Sequence, residues 1–339
     1  MKAESSEQHR LTLELVAPLE AATRTAVAVH SLAAFGDGHS GFTYSAVLES
    51  GGEAHRRVIR LSPPGVKIAG PADVGRQGRI MGALFDAGLP VPEVIACDSA
   101  PVVDGRSFAV LELVDGVGWE VAAAAHSPRR VAEEAAAFLQ RLHGLVPEQT
   151  GIGDEAGLSP ADEIQRWSRL LPHGVADARG PGEELSKQLL AATPDPGNPV
   201  LVHGDFHWGN MLFGPDGELV AVLDWEIAAR GYRLLDFGCL AAATLRRRYA
   251  PEPNPTGSLA VSLAELAEVN EVEREEGAWA IAAACFKYGA IIAYNLELHR
   301  QGKRPDPVYE QLQGTMLGLL RDGTELLRVS GLEPLGAIA

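Results

Sequence analysis

The spacing of apolar residues predicts a β-rich first part of the chain. A short helix over 14–25 comes first, and a helix with apolar residues at 80, 81, 84 and 85 follows further on, over 72–87. Ser50-Gly51-Gly52 predicts a hairpin turn. Alternating, β-branched or aromatic stretches predict strands over 26–35, 42–49, 56–61, 94–97 and 108–114. Residues 26–114 therefore predict a small antiparallel sheet with one helix.

Alanine- and leucine-rich helices dominate the rest of the chain, and a strand-like island over 200–222 interrupts them. The change of character near 115–118 predicts a domain boundary there. The predicted parts are a helical extension (1–25), a sheet lobe (26–114), a linker (115–118) and a helical lobe (119–339). Helices are predicted over 128–143, 161–171, 183–192, 234–248, 278–298 and 308–327.

Composition narrows the class of protein. With 339 residues and 46% hydrophobic side chains, the chain can form two packed cores. A net charge of −16 disfavours a nucleic-acid partner; it suits a cationic ligand and serves equally for solubility. Three widely spaced cysteines fit neither a disulfide framework nor a zinc site, so a reducing cytoplasm is expected.

No secretory leader or membrane partner is expected from the sequence. The first residues lack the apolar core of a signal peptide. The longest apolar run, 278–294, is interrupted by Lys287, and we interpret it as a buried helix.

The densest chemical signal lies in the strand-like island. His203-Gly204-Asp205 is followed by Asn210, five positions after the aspartate, in a loop between short apolar strands. Asp224 ends the next strand. A proton acceptor, an amide oxygen and a second carboxylate suit a Mg²⁺ site completed by nucleotide phosphates. Phosphoryl transfer requires such an arrangement.

The segments 203–210 and 224–226 resemble the catalytic and metal-binding motifs of the aminoglycoside phosphotransferase and choline kinase-like family. The resemblance extends over roughly residues 26–300. It implies an α+β, bilobal protein-kinase-like fold, with a small antiparallel-sheet N-lobe that binds nucleotide and a larger, mainly helical C-lobe. It also implies ATP and Mg²⁺ as cofactors.

The resemblance assigns roles to four residues. Asp205 would orient or deprotonate the acceptor hydroxyl, His203 would brace the loop, and Asn210 and Asp224 would hold Mg²⁺. Other residues of this region receive structural roles from the sequence: Trp208 is expected to pack, and Asp236 to cap a helix.

A glycine-rich segment, 36–41, matches G-x-G-x-x-G. A dinucleotide-binding oxidoreductase would need these glycines to open a helix, whereas a β pattern follows them here. The context favours a kinase loop in which the backbone of Gly38, Ser40, Gly41 and Phe42 covers the phosphates.

Two residues depart from the usual phosphate-binding pair. Arg60 stands where the third strand usually carries Lys, and Gln77 stands where the helix usually carries Glu. Asp73, one turn earlier, is a hypothetical source of the missing negative charge. The Glu112 carbonyl and the Val114 amide are expected to bind adenine.

The acceptor remains open at this point. The sequence around Arg60 and over 89–92 resembles the branch with the kinase-like domain fused to some acyl-CoA dehydrogenases, which implies a hydroxyacyl metabolite. The acidic balance suits an aminoglycoside-like amine instead, and a sugar is the third candidate. The alternative function is a pseudokinase or nucleotide-binding regulator. A small-molecule partner and a monomer or homodimer are expected.

Overall fold

The structure is a computed structural model that describes residues 2–35, 42–249 and 261–329. Its contacts divide the chain into two units. Unit 1 comprises 1–116, 148–152 and 220–228, and unit 2 comprises 117–147, 153–219 and 229–339. The short segments 148–152 and 220–228, which the sequence placed in the helical lobe, thus group with the sheet. The four-part domain division stays a prediction.

Unit 1 contains one antiparallel sheet of five strands, in the order β1-β2-β3-β5-β4 among its described residues. The β2–β3 turn confirms the predicted hairpin: Ser50 pairs with Glu53, and Gly51 and Gly52 have φ of 63° and 85°, which glycine adopts without strain. The elements are α1 (Lys2–Thr23), β1 (Val27–Ala34), β2 (Thr43–Ser50), β3 (Glu53–Leu61), α2 (Val74–Asp86), β4 (Val94–Val103) and β5 (Arg106–Glu112).

Helix α1 covers this sheet with a leucine stripe. Leu11, Leu15 and Leu19 recur every four residues, so they share one helix face. All three are fully buried and belong to the core cluster that includes Ile59 and Phe108 of the sheet. The helix packs against β1 and β4.

Helix α2 approaches the sheet closely because of a glycine. A Cβ at Gly75 would lie 2.3 Å from the Asp98 carbonyl carbon in β4, closer than any side chain tolerates. Asp73 caps the helix by accepting the Arg76 N–H at 2.9 Å. The sequence therefore fixes both the start and the packing of α2.

Unit 2 is mainly helical. Its described part also holds a short antiparallel pair, in which Val200 of β6 faces Gly231 of β9. The division between the units falls after Leu219, inside β8. The elements are α3 (Trp119–Ala125), α4 (Pro128–His143), α5 (Pro160–Ser168), α6 (Ala176–Ala191), β6 (Val200–Val202), β7 (Met211–Phe213), β8 (Leu219–Val222), β9 (Ala229–Gly231), α7 (Leu234–Arg246), α8 (Leu263–Val269), α9 (Arg274–Arg300), α10 (Val308–Gln311) and α11 (Gln313–Arg328).

Helix α9 is the central element of unit 2. It packs against α6, α7 and α11. Among the described residues it alone has the length and hydropathy of a membrane span, but 89% of that apolar window is buried inside the protein, as in a core helix. The approach of α7 requires Gly238, where a Cβ would lie 2.2 Å from the Ala280 carbonyl oxygen.

Several predicted boundaries were wrong for identifiable reasons. Helix α6 starts seven residues before the predicted 183, because Gly182 packs against Leu171 instead of ending the helix. The predicted helix 308–327 is interrupted at Leu312. Helices α3 and α8, of seven residues each, were missed because so few residues give no clear periodicity.

Candidate active site

The loop after β6 is held by a buried carboxylate of α7. The N–H groups of His203 and Gly204 donate to the two oxygens of Asp236 at 3.0 and 2.8 Å. The Nε2 atom of His143 lies 3.0 Å from the same carboxylate. Asp236 is fully buried, so these partners replace its water. The predicted helix cap is therefore an anchor of the candidate catalytic loop.

His203 stabilises the same loop through contacts with other residues of the loop. Its ring is fully buried, and its Nδ1 accepts the Asp205 N–H at 3.1 Å. The ring also meets Phe206 edge to face, with centroids 6.0 Å apart. These contacts agree with the bracing role that the motif implies for His203.

The Asp205 carboxylate is fixed by side chains from α9 and from the loop itself. The Tyr288 hydroxyl donates to Oδ1 at 2.8 Å, and the Lys287 Nζ lies 3.4 Å from the same oxygen. The other oxygen, Oδ2, lies 3.5 Å from the His207 Nε2. The side chain stays 29% exposed, so it is both anchored and accessible.

These neighbours also set the charge of Asp205. Burial alone would raise its pKa, but the Lys287 ammonium and hydrogen bonds from His207 and Tyr288 hold the pKa well below its usual range. The group is therefore a carboxylate at neutral pH. A carboxylate with so low a pKa is a weak base but a good hydrogen-bond acceptor.

Asn210 closes the loop on itself. Its Nδ2 donates to the Asp205 carbonyl at 3.0 Å, which leaves the amide oxygen as an acceptor. Trp208 fixes the short turn before it: the indole is buried, as the sequence predicts, and its Nε1 donates to Thr244 Oγ1 at 3.1 Å.

In unit 1, Asp224 forms an ion pair with Arg60. The Arg60 Nη2 donates to Asp224 Oδ1 at 3.0 Å, with the side chains 12% and 34% exposed. Asp224 has φ of 64°, a strained conformation for a residue other than glycine. Fully buried Trp225 follows it. Such strain clusters at functional sites because the surrounding fold must maintain it.

Neither expected partner of Arg60 contacts it. Gln77, at the position of the usual Glu, is buried and donates through Nε2 to the Pro71 carbonyl at 3.0 Å. Asp73 is engaged as the α2 cap and by Ser99 Oγ at 2.7 Å. The carboxylate that contacts Arg60 is therefore that of Asp224 and not that of Asp73.

The remaining predicted nucleotide-binding residues are distributed over unit 1. Gly38, Ser40 and Gly41 lie outside the described residues. The Phe42 carbonyl accepts the N–H of Leu61, the residue after Arg60, at 2.9 Å. Glu112 is the last residue of β5, and Val114 is half-buried two residues later. Their assignment to adenine stays a prediction.

The donors offered for a metal ion are oxygen atoms. Among the described residues, no group of three or more His, Cys, Asp or Glu side chains is close enough to hold a metal. Mg²⁺ does not need such a group of side chains, since it binds one or two protein carboxylates and completes its coordination shell with water and phosphate. The Asp224 carboxylate and the Asn210 amide oxygen fit that chemistry, each within its own unit.

Sequence reasoning missed the anchors of the loop. Asp236 was interpreted as a cap, and Tyr288 was not considered. A signal for Lys287 existed, since it is the single charged residue in the otherwise uncharged stretch between Glu276 and Glu297. A lone charge in a buried helix indicates a partner from elsewhere in the fold.

Comparison with known sequences decides the family. Residues 31–272 match the phosphotransferase enzyme family. The chain belongs to that family. The phosphotransferase is also 30% identical over 227 residues to acyl-CoA dehydrogenase family member 11 of Rattus norvegicus, and 32% identical over 225 residues to that of Gallus gallus. Each match covers 63% of this chain and only 28% of the relative's length.

Solved structures confirm the predicted fold. A candidate aminoglycoside phosphotransferase from Ralstonia eutropha superposes on this chain with a TM-score of 0.70 at 20% identity. The match covers 94% of this chain and 98% of the Ralstonia protein. A thermostable mutant of aminoglycoside phosphotransferase APH(4)-Ia, in complex with AMP-PNP and hygromycin B, gives 0.60 at 16% identity, covering 91% and 98%. At these identities the likeness shows the α+β, kinase-like fold, and family membership supports phosphotransferase activity.

Proposed function

We propose that the chain is an ATP- and Mg²⁺-dependent phosphotransferase that transfers the γ-phosphoryl group to a hydroxyl of a small molecule. The observation that carries this proposal is the state of Asp205. Its carboxylate is ionised, anchored through Oδ1 by Tyr288 and Lys287, and still partly exposed. An oriented hydroxyl is the main protein contribution that phosphoryl transfer needs.

In the proposed reaction, the acceptor oxygen forms a bond to the γ-phosphorus while the bond to the bridging oxygen of ADP breaks. Asp205 accepts the hydrogen bond of the attacking hydroxyl and so directs its lone pair. The proton passes late to the Asp205 carboxylate and from there to water, because a weak base removes little of it before the transition state. Asp205 therefore orients the acceptor more than it deprotonates it.

Arg60 and Asp224 are the proposed phosphate and metal residues of unit 1. The Arg60 Nη2 and the Asp224 Oδ1 form an ion pair at 3.0 Å. A bidentate guanidinium suits phosphate oxygens at least as well as a carboxylate. The sequence motif assigns both Asp224 and Asn210 to Mg²⁺. The ion would neutralise part of the phosphate charge. We propose that nucleotide binding exchanges the Arg60–Asp224 pair for contacts to phosphates.

A hydroxyacyl thioester is the favoured acceptor class. The curated relatives that the chain matches are acyl-CoA dehydrogenase family members. Glu163, the nearby acid, is already engaged by Trp167 Nε1 at 2.6 Å and Arg166 at 3.6 Å. Arg246 stands over the Tyr288 ring at 5.5 Å and adds positive charge, which suits an anionic acceptor.

The test is a transfer assay on purified protein. ADP release and ³¹P NMR would be followed with ATP, Mg²⁺ and, separately, a hydroxyacyl-CoA, an aminoglycoside and a sugar. We expect an acceptor-dependent phosphomonoester that Asp205→Asn lowers about a thousandfold. Asp86→Asn, an exposed aspartate at the end of α2, is the matched control. Equal turnover by Asp205→Asn would contradict the proposed role.

The second candidate is a nucleotide-binding regulator. The observation that favours it is the altered pair, since Gln77 donates to the Pro71 carbonyl and Arg60 donates to Asp224, the aspartate proposed to bind the metal. Calorimetric titration with ATP, with and without Mg²⁺, separates the two. Mg²⁺-dependent binding without transfer to any acceptor class would favour the regulator, whereas binding with transfer establishes the enzyme.

A further inference from the structure

Lys287 is an unusual residue for its place in the fold. It lies in the middle of α9, among buried neighbours, and is only 3% exposed. A buried ammonium loses its hydration, so a charge is retained at such a position only if partners compensate for it. Replacing a buried ion pair by apolar groups is often neutral for stability or better. Stability therefore does not explain why this helix carries a lysine.

The partners of the ammonium belong to the candidate catalytic loop. The Nζ atom donates to the Gly204 carbonyl and lies 3.4 Å from Asp205 Oδ1. It also lies 3.7 Å from the Cys239 Sγ. The ring of Trp167, at 5.4 Å, covers it further. The ammonium therefore contacts two consecutive residues of the loop, Gly204 and Asp205.

The side chain is an ammonium in this environment. Burial alone would lower its pKa, but the neighbouring Cys239, Asp205 and Glu163 raise it. Burial raises the pKa of Cys239 itself to about 12, so Cys239 is a neutral thiol at neutral pH. The two carboxylates are then the groups that keep Lys287 charged.

Burial also decides between two roles for this charge. A phosphate-binding lysine must present its ammonium to the ligand, whereas the Lys287 Nζ is enclosed by the loop carbonyl, the Asp205 carboxylate and aromatic rings. It acts on the loop. Together with the Tyr288 hydroxyl at 2.8 Å, it occupies Oδ1 of Asp205, whereas Oδ2 lies on the other side, where the His207 Nε2 is 3.5 Å away.

We infer that Lys287 is a positioning residue for phosphoryl transfer: from α9 it holds the Gly204 carbonyl and Asp205 Oδ1, so that Oδ2 presents to the acceptor hydroxyl. The inference rests on the proposed function and deepens it. Lys287 acts through Asp205 and does not touch the reacting atoms.

The first experiment is a thermal-unfolding cycle of the full chain without ligands. Asp205→Asn leaves the buried ammonium without its carboxylate and should lower Tm by roughly 5 °C. Lys287→Met, which keeps the length of the side chain, should change Tm by less than about 2 °C, because the partly exposed Asp205 keeps Tyr288 and water as partners. The double variant should recover most of the loss. Shifts that simply add in the double variant would overturn the pairing of Lys287 with Asp205.

The second experiment measures turnover. Lys287→Met should lower kcat about 10- to 100-fold and leave the KM for ATP within about twofold, because misplacing Asp205 affects the transition state more than nucleotide binding. Tyr288→Phe, which removes one of the two Oδ1 contacts, should lower kcat less. Lys187→Met, at an exposed position of α6, is the matched control and should leave both constants unchanged.

The outcomes separate the inference from the function on which it rests. Unchanged kcat in Lys287→Met, or a raised KM for ATP at constant kcat, would overturn the positioning role while transfer by the wild-type protein stands. No transfer by the wild-type protein with any acceptor class would overturn the proposed function and, with it, the role of Lys287 in transfer. The unfolding cycle would then still report whether the two residues are paired.

Discussion

The two aspartates of the motif are held in opposite ways. Asp205, in unit 2, has several partners from α9 and from its own loop, and the loop is anchored again through Asp236. Asp224, in unit 1, is held by one ion pair to Arg60 on a strained backbone and is a third exposed. One carboxylate is therefore held by several partners at once, whereas the other depends on a single charged partner.

The largest effect is expected at the anchor of the loop that carries Asp205. Asp236→Ala would leave the buried N–H group of His203 and the half-buried N–H group of Gly204 without their acceptor. We expect a loss of about 3 kcal/mol in the free energy of unfolding and about a hundredfold in kcat. Urea unfolding and the transfer assay measure the two. Native stability in this variant would show that Asp236 does not hold the loop.

A smaller and different effect is expected at Arg60. Arg60→Met removes the proposed phosphate contact and should weaken ATP binding about 10- to 100-fold by calorimetry. The free energy of unfolding should change by less than about 1 kcal/mol, because water can hydrate the partly exposed Asp224. Arg57→Met, at a half-buried position of the same strand, serves as control. Strong destabilisation with normal affinity would reverse the comparison between the two sides.

The backbone at Asp224 offers a third test. Its φ of 64° favours glycine, so Asp224→Gly should be about 1 kcal/mol more stable than Asp224→Ala. Both variants lack the carboxylate, so the difference isolates the strain from the charge. Chemical unfolding of the pair measures it. Equal stabilities would show that the backbone relaxes when the ion pair to Arg60 is lost.

The smallest effect concerns thiol reactivity in the two units. Burial raises the pKa of Cys97, in unit 1, and of Cys239 and Cys285, in unit 2. Each thiolate fraction at pH 8 is therefore below that of a free cysteine. We expect slow labelling of partly exposed Cys97 by a disulfide reagent, and labelling of the other two only after unfolding. In the folded Cys97→Ser variant only Cys239 and Cys285 remain, so rapid labelling would contradict their burial in unit 2.

Local chemistry made much of this fold predictable. The hairpin at Gly51-Gly52 and the helix Pro128–His143 follow from turn residues, a Ser127 cap and strong periodicity. Helix α6 was misread because Gly182 serves packing at a distance, which no local rule detects. Sequence predicts an element well when its signals lie within the element.

The same distinction applies to the site. Asp205, Asn210 and Asp224 could be singled out because their spacing lies within 20 residues. The groups that hold Asp205 come from Lys287 and Tyr288, more than 80 positions later. Only folding brings them together, so the motif gives the reacting groups and the structure gives their support.

The leucine stripe of α1 has a practical consequence for anyone producing this protein. Leu11, Leu15 and Leu19 are part of the sheet's core. A shortened chain that starts after Thr23 would uncover an apolar face on β1 and β4, and we expect it to aggregate during purification. Fusion tags for labelling or immobilisation are better joined ahead of this helix than used to replace it.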